Sequence, residues 1–215
     1  MAVHASVIDM IGNTPMVDVS ALSPNPNVRI LAKMEGQNPA GSVKDRIAKA
    51  MIEEAEEDGT LRPGSIIIEP SSGNTGIALA MICRIRGYHL KIVLPSNVSI
   101  ERRQMLEVYG AEIIDSPGAE GSNGAVRRAQ ALADEHPDWV FLYQYANEAN
   151  PRSCLLYTSD AADEHRDVGV GAFLKEQNPD IKILAVEPPI GERVEGLRNL
   201  DEGYIPPVYE KWGGA

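Results

Sequence analysis

The alternation of short β-rich runs with helical patterns is the feature that most constrains the fold of this 215-residue chain. Runs rich in Val, Ile and Leu predict strands at residues 28–34, 65–69, 90–94, 112–115, 139–145 and 181–187. Between them, helical patterns lie near residues 42–58, 74–86, 100–109 and 121–135. Strands that alternate with helices of this length form βα units. The sequence therefore predicts an α/β protein whose parallel sheet is covered on both faces.

The composition and charge of the chain argue against several classes of binding partner. A formal net charge of −11 and a pI near 4.8 argue against nucleic acid and against anionic membrane surfaces as partners. The two cysteines, Cys83 and Cys154, show no metal-ligand spacing, and the four histidines form no ligand pattern, so no metal site is predicted. Unpaired cysteines favour a reducing cytoplasm. No apolar run is long enough to span a bilayer.

The stretch NPAGSVKDR, residues 38–46, contains the first candidate for chemistry. Gly41 and Ser42 are typical of a helix start, which places Lys44 in the first helical turn. The positive end of the helix dipole disfavours a cation there and favours the neutral amine, the form that reacts with a carbonyl. A solvated surface lysine is the alternative explanation. The preceding Gly-Ser pair and the following Asp45 favour a functional amine.

Two further loops follow predicted strands. EPSSGNTG, residues 69–76, joins an apolar strand to a helix through small polar residues, which leaves backbone N–H groups available for a carboxylate or phosphate. An N-capped turn without a ligand explains the same residues equally well. YQYANEANP, residues 143–151, ends another strand and could direct the amides of Gln144 and Asn147 into the same cleft. Polar residues at a strand end are the simpler explanation of that loop.

Taken together and in this order, four motifs resemble the cysteine synthase group of pyridoxal-phosphate enzymes: IGNTPMV, AKMEGQNPAGSVKDR, EPSSGNTGIALA and ERRQMLEVYGAEI. The stretches SPNPNVRILAKMEGQNPAGS and LRNLDEGYIP are most similar to the actinobacterial-type cysteine synthase M branch. The resemblance implies fold type II, the tryptophan-synthase-β fold, with two three-layer αβα domains of which the larger is incomplete here. It assigns residues 1–35 to the larger domain, residues 36–147 to a small mobile domain with a carboxylate-binding loop, and residues 148–215 to the incomplete remainder of the larger domain.

The resemblance also implies roles for individual residues. Lys44 is expected to hold pyridoxal 5′-phosphate covalently and to act as the general base, and Asn74 to donate a hydrogen bond to the 3′-oxygen of the cofactor. The residues expected to bind the substrate carboxylate are Ser71, Ser72, Thr75 and Gln144. The implied reaction is cysteine biosynthesis by β-replacement on an O-activated serine. The resemblance further implies that the sulfur donor is sulfide or a sulfur-carrier protein and that the enzyme is a cytoplasmic homodimer.

The choice of substrate depends on Arg198. It matches the arginine that faces the leaving group in members using O-phosphoserine, and a guanidinium suits a phosphate because it donates two hydrogen bonds. A surface salt bridge explains Arg198 equally well, so O-acetylserine stays open. Cystathionine β-synthase and serine/threonine dehydratases of the same fold are alternatives. A binding protein without activity is a further alternative, which the intact lysine motif disfavours.

Residues 154–164, CLLYTSDAADE, have neither strand nor helix periodicity and resemble translated sequencing-adapter read-through, as found in metagenomic assemblies. The family pattern would place here a buried strand and a glycine-rich loop for the cofactor phosphate. We therefore expect the larger domain to be disrupted at about residues 152–168. On this expectation the chain as written binds the cofactor weakly and is catalytically inactive. The alternative is a natural divergent insertion that replaces the loop.

Overall fold

A computed structural model describes residues 3–155 and residue 180. Its strands and α-helices, in chain order, are β1 Met16–Asp18, β2 Leu31–Lys33, α1 Lys44–Glu57, β3 Ile66–Pro70, α2 Asn74–Arg86, β4 His89–Pro95, α3 Ile100–Val108, β5 Glu112–Ser116, α4 Gly121–Glu135, β6 Val140–Phe141 and α5 Ala149–Leu155. The strand predicted at residues 181–187, Arg198 and most of the segment 152–168 lie outside the described residues.

A four-stranded parallel sheet with the order β5-β4-β3-β6 forms the centre of the described part. Successive side chains of a strand point to opposite faces. Ile67 and Ile92 therefore pack on one face with α1 and α2, whereas Ile68 and Val93 pack on the other face with Ala129 of α4. Helices on both faces of a parallel sheet confirm the predicted α/β class.

The predicted helices are confirmed to within two residues at each end. Gly87 ends α2 in the left-handed conformation, with φ of +78°, and its N–H donates to the carbonyl of Cys83. That is the C-cap expected of a glycine that follows a helical pattern. None of the helices within residues 3–155 is long and apolar enough to cross a bilayer.

Two of the predicted strands differ from the observed ones. The run 28–34 was expected to join the parallel sheet, but β2 instead pairs antiparallel with β1, with Met16 opposite Lys33. A parallel pair needs a long crossover, usually a helix, and the connection between β1 and β2 contains Pro24 and Pro26. The run 139–145 shortens to Val140–Phe141 because the backbone turns at Tyr143, where φ is +50°. The domain division at residues 35 and 147 stays a prediction.

A buried ion pair joins the N-terminal segment to α1. Arg46 donates from Nε to Glu35 Oε2 at 2.7 Å and from Nη2 to Glu35 Oε1 at 2.9 Å, and Thr14 Oγ1 donates to the same carboxylate. A Cβ at Gly12, where φ is +91°, would lie 3.0 Å from Arg46 Nη1, so the IGNTP motif needs glycine at this close approach.

The charge state of Glu35 follows from these contacts. Burial alone would raise the pKa of Glu35, but the hydrogen bonds from Arg46 and Thr14, the charge of Arg46 and a hydrogen bond from Asn38 outweigh it and lower the pKa to about 2. The fold therefore favours the carboxylate. Its contribution to the unfolding free energy is present above about pH 4.5, the ordinary value for the group, and is lost as the pH falls toward about 2.

We expect Arg46→Met to lower the unfolding free energy by about 3–5 kcal/mol, because it leaves the buried Glu35 carboxylate without its cation. Arg29→Met is the matched control: Arg29 pairs with Asp18 at 3.4 Å, but their side chains are 74% and 52% exposed. An exposed pair contributes about 1 kcal/mol or less. Urea unfolding followed by circular dichroism measures the unfolding free energy of both variants. Equal losses of unfolding free energy would show that the buried ion pair stabilises the fold no more than the exposed pair does.

Candidate active site

The order of the strands predicts a ligand crevice at the carboxyl edge of the sheet. From β3 the chain passes through α2 to β4 on one side, whereas β6, on the other side of β3, is reached through α4 on the opposite face. The strand order therefore reverses between β3 and β6, and open α/β sheets bind ligands outside the carboxyl ends of the strands at such a point. The loops that follow β3 and β6 are residues 71–73 and 142–148, which overlap the two stretches singled out in the sequence, residues 69–76 and 143–151.

Thr75 and Gln144 are 69 residues apart in the chain, and the pairing of β3 with β6 places them in contact at this edge of the sheet. Thr75 Oγ1 donates to Gln144 Oε1 at 2.9 Å, and Gln144 Nε2 donates to the carbonyl of Pro70 at 3.2 Å. Thr75 is 3% exposed and Gln144 is 6% exposed. This pair joins the N-terminus of α2 to the turn after β6, so the two loops form one structural unit.

The β3–α2 loop presents backbone donors to this crevice. Ser71 Oγ accepts a hydrogen bond from the N–H of Gly76 at 2.9 Å, which caps the first turn of α2. Within the described part of the chain, the N–H groups of Ser72, Asn74 and Thr75 donate to no protein group. Free N–H groups at a helix N-terminus bind anions such as carboxylates. The loop is therefore a candidate carboxylate site, with the side chain of Asn74 exposed beside it.

Lys44 is the first residue of α1, which confirms the prediction that it lies in the first helical turn. Its N–H donates to Ser42 Oγ at 3.1 Å, and Gly41 has φ of +86°, so the turn before it is tightly wound. The side chain of Asp45 is fully buried and accepts a hydrogen bond from the N–H of Ala40 at 2.6 Å. Burial raises the pKa of Asp45, against the hydrogen bonds from Ala40 and Ser42 that lower it.

The helices α1 and α2 both begin near the carboxyl edge of the sheet. Residues 58–65 join α1 to the amino end of β3, α2 leaves the carboxyl end of β3, and the two helices pack on the same face. Both therefore run antiparallel to β3. It follows that Lys44 and Asn74, the first residues of the two helices, lie toward the edge that carries the crevice.

Glu69 is a site residue that the sequence analysis missed. It is 0% exposed, and it accepts hydrogen bonds from the N–H groups of Tyr143 at 2.8 Å and Gln144 at 3.1 Å. Burial raises the pKa of Glu69 to about 8, although these two donors act in the opposite direction. The available signal was an acidic residue at the end of the apolar run SIIIE. Its partner turn becomes apparent only once β3 is paired with β6.

Two other residues fall outside the crevice or outside the described chain. Asn147 Nδ2 donates to the carbonyl of Leu142 at 2.9 Å, and Asn147 Oδ1 accepts from the N–H of Ala149 at 2.9 Å. Its amide therefore closes the turn after β6, as the simpler explanation of that loop expected. Arg198 lies outside the described residues, and its role stays a prediction, as do the roles of Ser71, Ser72, Asn74, Thr75 and Gln144.

Comparison with known proteins places the chain in a family. Residues 7–158 match the family described as pyridoxal-phosphate dependent enzyme. The chain is 37% identical over 228 residues to a cysteine synthase of a Flavobacterium species, which covers 95% of this chain and 74% of that protein. It is 42% identical over 206 residues to cysteine synthase 3 of Caenorhabditis elegans, covering 88% of this chain and 61% of the nematode protein.

Solved structures agree with this comparison. The crystal structure of O-ureido-L-serine synthase matches with a TM-score of 0.84 and 31% identity, over 96% of this chain and 72% of that one. The crystal structure of cysteine synthase from Entamoeba histolytica matches with a TM-score of 0.82 and 32% identity, over 98% and 70%. These likenesses confirm the expected fold type II. The chain belongs to the cysteine synthase family of pyridoxal-phosphate-dependent enzymes.

Proposed function

We propose that this chain carries the lysine and the carboxylate-binding loop of a cysteine synthase, which makes cysteine by β-replacement on an O-activated serine. The observation that carries the proposal is the hydrogen bond between Thr75 and Gln144, beside N–H groups of the α2 N-terminus that donate to none of the described residues. An amino-acid substrate needs a site for its carboxylate within reach of an amine. The names of the bacterial and nematode relatives point to the same activity.

The residues at the crevice fit pyridoxal phosphate. Lys44 is partly buried at a helix start, which suits an amine that attaches to a carbonyl group. A Cβ at Gly73 would meet no atom of the described residues within 4 Å, and the neighbouring Asn74 is exposed, so the described residues leave the loop accessible. When bound, the cofactor withdraws electrons from the α-carbon of the substrate, which makes the α-proton easier to remove.

The side chains of this protein perform the binding and proton-transfer tasks. The N–H groups of the β3–α2 loop bind the substrate carboxylate, and the positive end of the α2 dipole favours that charge. Thr75 and Gln144 orient the carboxylate from the two sides of the crevice. The amine of Lys44 removes the α-proton as a general base, and the buried Asp45 holds the turn that positions Lys44.

The proposal also includes the finer features implied by the resemblance. The sulfur donor is sulfide or a sulfur-carrier protein, the enzyme is a cytoplasmic homodimer, and residues 36–147 form the mobile domain. O-phosphoserine and O-acetylserine are both candidates for the activated serine, with Arg198 as the residue that decides between them. Assays with sulfide, homocysteine or no nucleophile separate a cysteine synthase from a cystathionine β-synthase and from a dehydratase.

We expect Lys44→Ala to abolish covalent attachment of pyridoxal phosphate, because it removes the reacting amine. The 215-residue chain is saturated with cofactor and reduced with borohydride, and the labelled peptide is identified by mass spectrometry. Attachment is measured before turnover, since the expected disruption at residues 152–168 affects activity more than access to the amine. Lys49→Ala on the same helix is the matched control and keeps the label.

A label of undiminished intensity on another lysine of the Lys44→Ala chain would contradict this assignment. It would show that a different amine holds the cofactor. A label lost equally in Lys49→Ala would mean that both changes disturb α1 as a whole.

We expect Thr75→Val to weaken binding of O-acetylserine to the cofactor-loaded chain by about fivefold to a hundredfold. Valine has the shape of threonine but leaves the buried Gln144 oxygen without its donor, a change that costs about 1–3 kcal/mol. The measurement is a titration of the cofactor absorbance with O-acetylserine. Thr60→Val, at an exposed position after α1, is the control and leaves the titration unchanged. An equal response in both variants would remove Thr75 from the carboxylate site.

A further inference from the structure

Among the buried acids of the described chain, Glu69 is the one that lies in a β-strand. It is fully buried in β3, and no cation of the described residues contacts it. Glu35, which is also buried, has the guanidinium of Arg46 against both of its oxygens. A buried carboxyl without a cation costs free energy relative to an apolar residue. Packing alone therefore gives no reason for an acid at this point of an apolar strand.

The two oxygens of Glu69 hold a turn that is strained. Oε2 accepts from the N–H of Tyr143 at 2.8 Å, and Oε1 accepts from the N–H of Gln144 at 3.1 Å. Tyr143 has φ of +50°, which a residue with a side chain adopts only where its surroundings impose it. The carbonyl of Gln144 is held from the other side by Asn150 Nδ2 at 2.9 Å.

The same short segment of chain also holds the far end of Gln144. Its side-chain amide contacts Thr75 Oγ1 and the carbonyl of Pro70. Glu69 and Pro70 end β3, and Thr75 lies in the first turn of α2. The β3–α2 segment therefore binds Gln144 at two points: Glu69 accepts a hydrogen bond from its backbone N–H, and Thr75 donates one to its side-chain amide. A shift of this backbone would therefore also move the Gln144 amide relative to Thr75.

We propose that Glu69 is a positioning residue for carboxylate binding, which fixes the Tyr143–Gln144 backbone and thereby holds the Gln144 amide at the crevice. This role rests on the proposed function, since it matters for catalysis only if Gln144 orients a substrate carboxylate. It does not require Glu69 to touch the substrate or the cofactor.

Glu69→Gln is the discriminating variant because it keeps the shape of the side chain. Glutamine offers one acceptor oxygen, and its NH₂ group faces the second N–H, so one of the two hydrogen bonds is lost. The change also removes a buried ionisable group, whose pKa burial raises to about 8. We therefore expect the midpoint of urea unfolding at neutral pH to be unchanged or higher, which separates loss of positioning from loss of folding.

Hydrogen–deuterium exchange of the 215-residue chain measures the turn directly. We expect the peptide that spans Tyr143 and Gln144 to exchange roughly tenfold faster in Glu69→Gln, because one of the two amides loses its acceptor. Thr75 bonds to the side chain of Gln144 and not to its backbone N–H. We therefore expect Thr75→Val to leave the exchange of this peptide unchanged. Glu112→Gln removes an exposed carboxylate from β5 and is the matched control for loss of charge.

A second measurement connects the turn to the site. Glu69→Gln and Thr75→Val should both weaken O-acetylserine binding to the cofactor-loaded chain, by roughly tenfold, while the borohydride label on Lys44 stays unchanged. Exchange at Tyr143 and Gln144 that equals that of the unaltered chain would overturn the proposal. So would a lowered unfolding midpoint with faster exchange throughout, which is the pattern of a merely structural residue. If the unaltered chain does not respond to O-acetylserine, the proposed function fails, and with it the link to carboxylate binding, whereas the exchange pattern still decides whether Glu69 holds the turn.

Discussion

The parallel pairing of β3 with both β4 and β6 is the constraint on which the rest of the structure depends. The chain runs from β3 through β4 to β5 with helices on one face and returns to β6 through α4 on the other face. The strand order therefore reverses at β3, and open α/β sheets bind ligands outside the carboxyl ends of the strands at such a point. The same pairing places Glu69 against the turn after β6 and Thr75 against the side chain of Gln144. The position of β3 thus determines both where the ligand site is expected and which side chains lie beside it.

Two buried acids show how the fold uses a carboxylate in different ways. Glu35 is matched by Arg46, so its charge is compensated and it ties the N-terminal segment to α1. Within the described residues, Glu69 is matched by neutral donors of Tyr143 and Gln144, which compensate less of the cost of burial than a cation does. The pKa values move in opposite directions for this reason, to about 2 for Glu35 and to about 8 for Glu69. Stability explains the first acid, and geometry at the crevice explains the second.

Local signals in the sequence predict the elements, whereas the contacts between elements need the structure. The helix start at Lys44 and the glycine cap at Gly87 depend on neighbouring residues, and both are confirmed. The antiparallel β1–β2 pair was not predicted, because its two strands are three residues long and largely exposed. Glu69 was missed because its partners lie 74 and 75 residues away and depend on strand order. The roles of Thr75 and Gln144 were expected from family resemblance, and neither residue alone indicated the other.

The motif that contains Lys44 is tied to the rest of the protein through residues that perform no chemistry. Asn38 accepts from the N–H of Gly12 at 2.8 Å and donates to Glu35, while Asp45 holds the N–H of Ala40. The turn before Lys44 is therefore connected on one side to the N-terminal segment and on the other to the first turn of α1. A long, flexible lysine side chain reacts at a defined point only if its backbone is fixed, because the four-carbon stem allows many conformers. The buried polar network around NPAGSVKDR supplies that fixed backbone, and this explains why the motif contains more polar residues than the reaction itself requires.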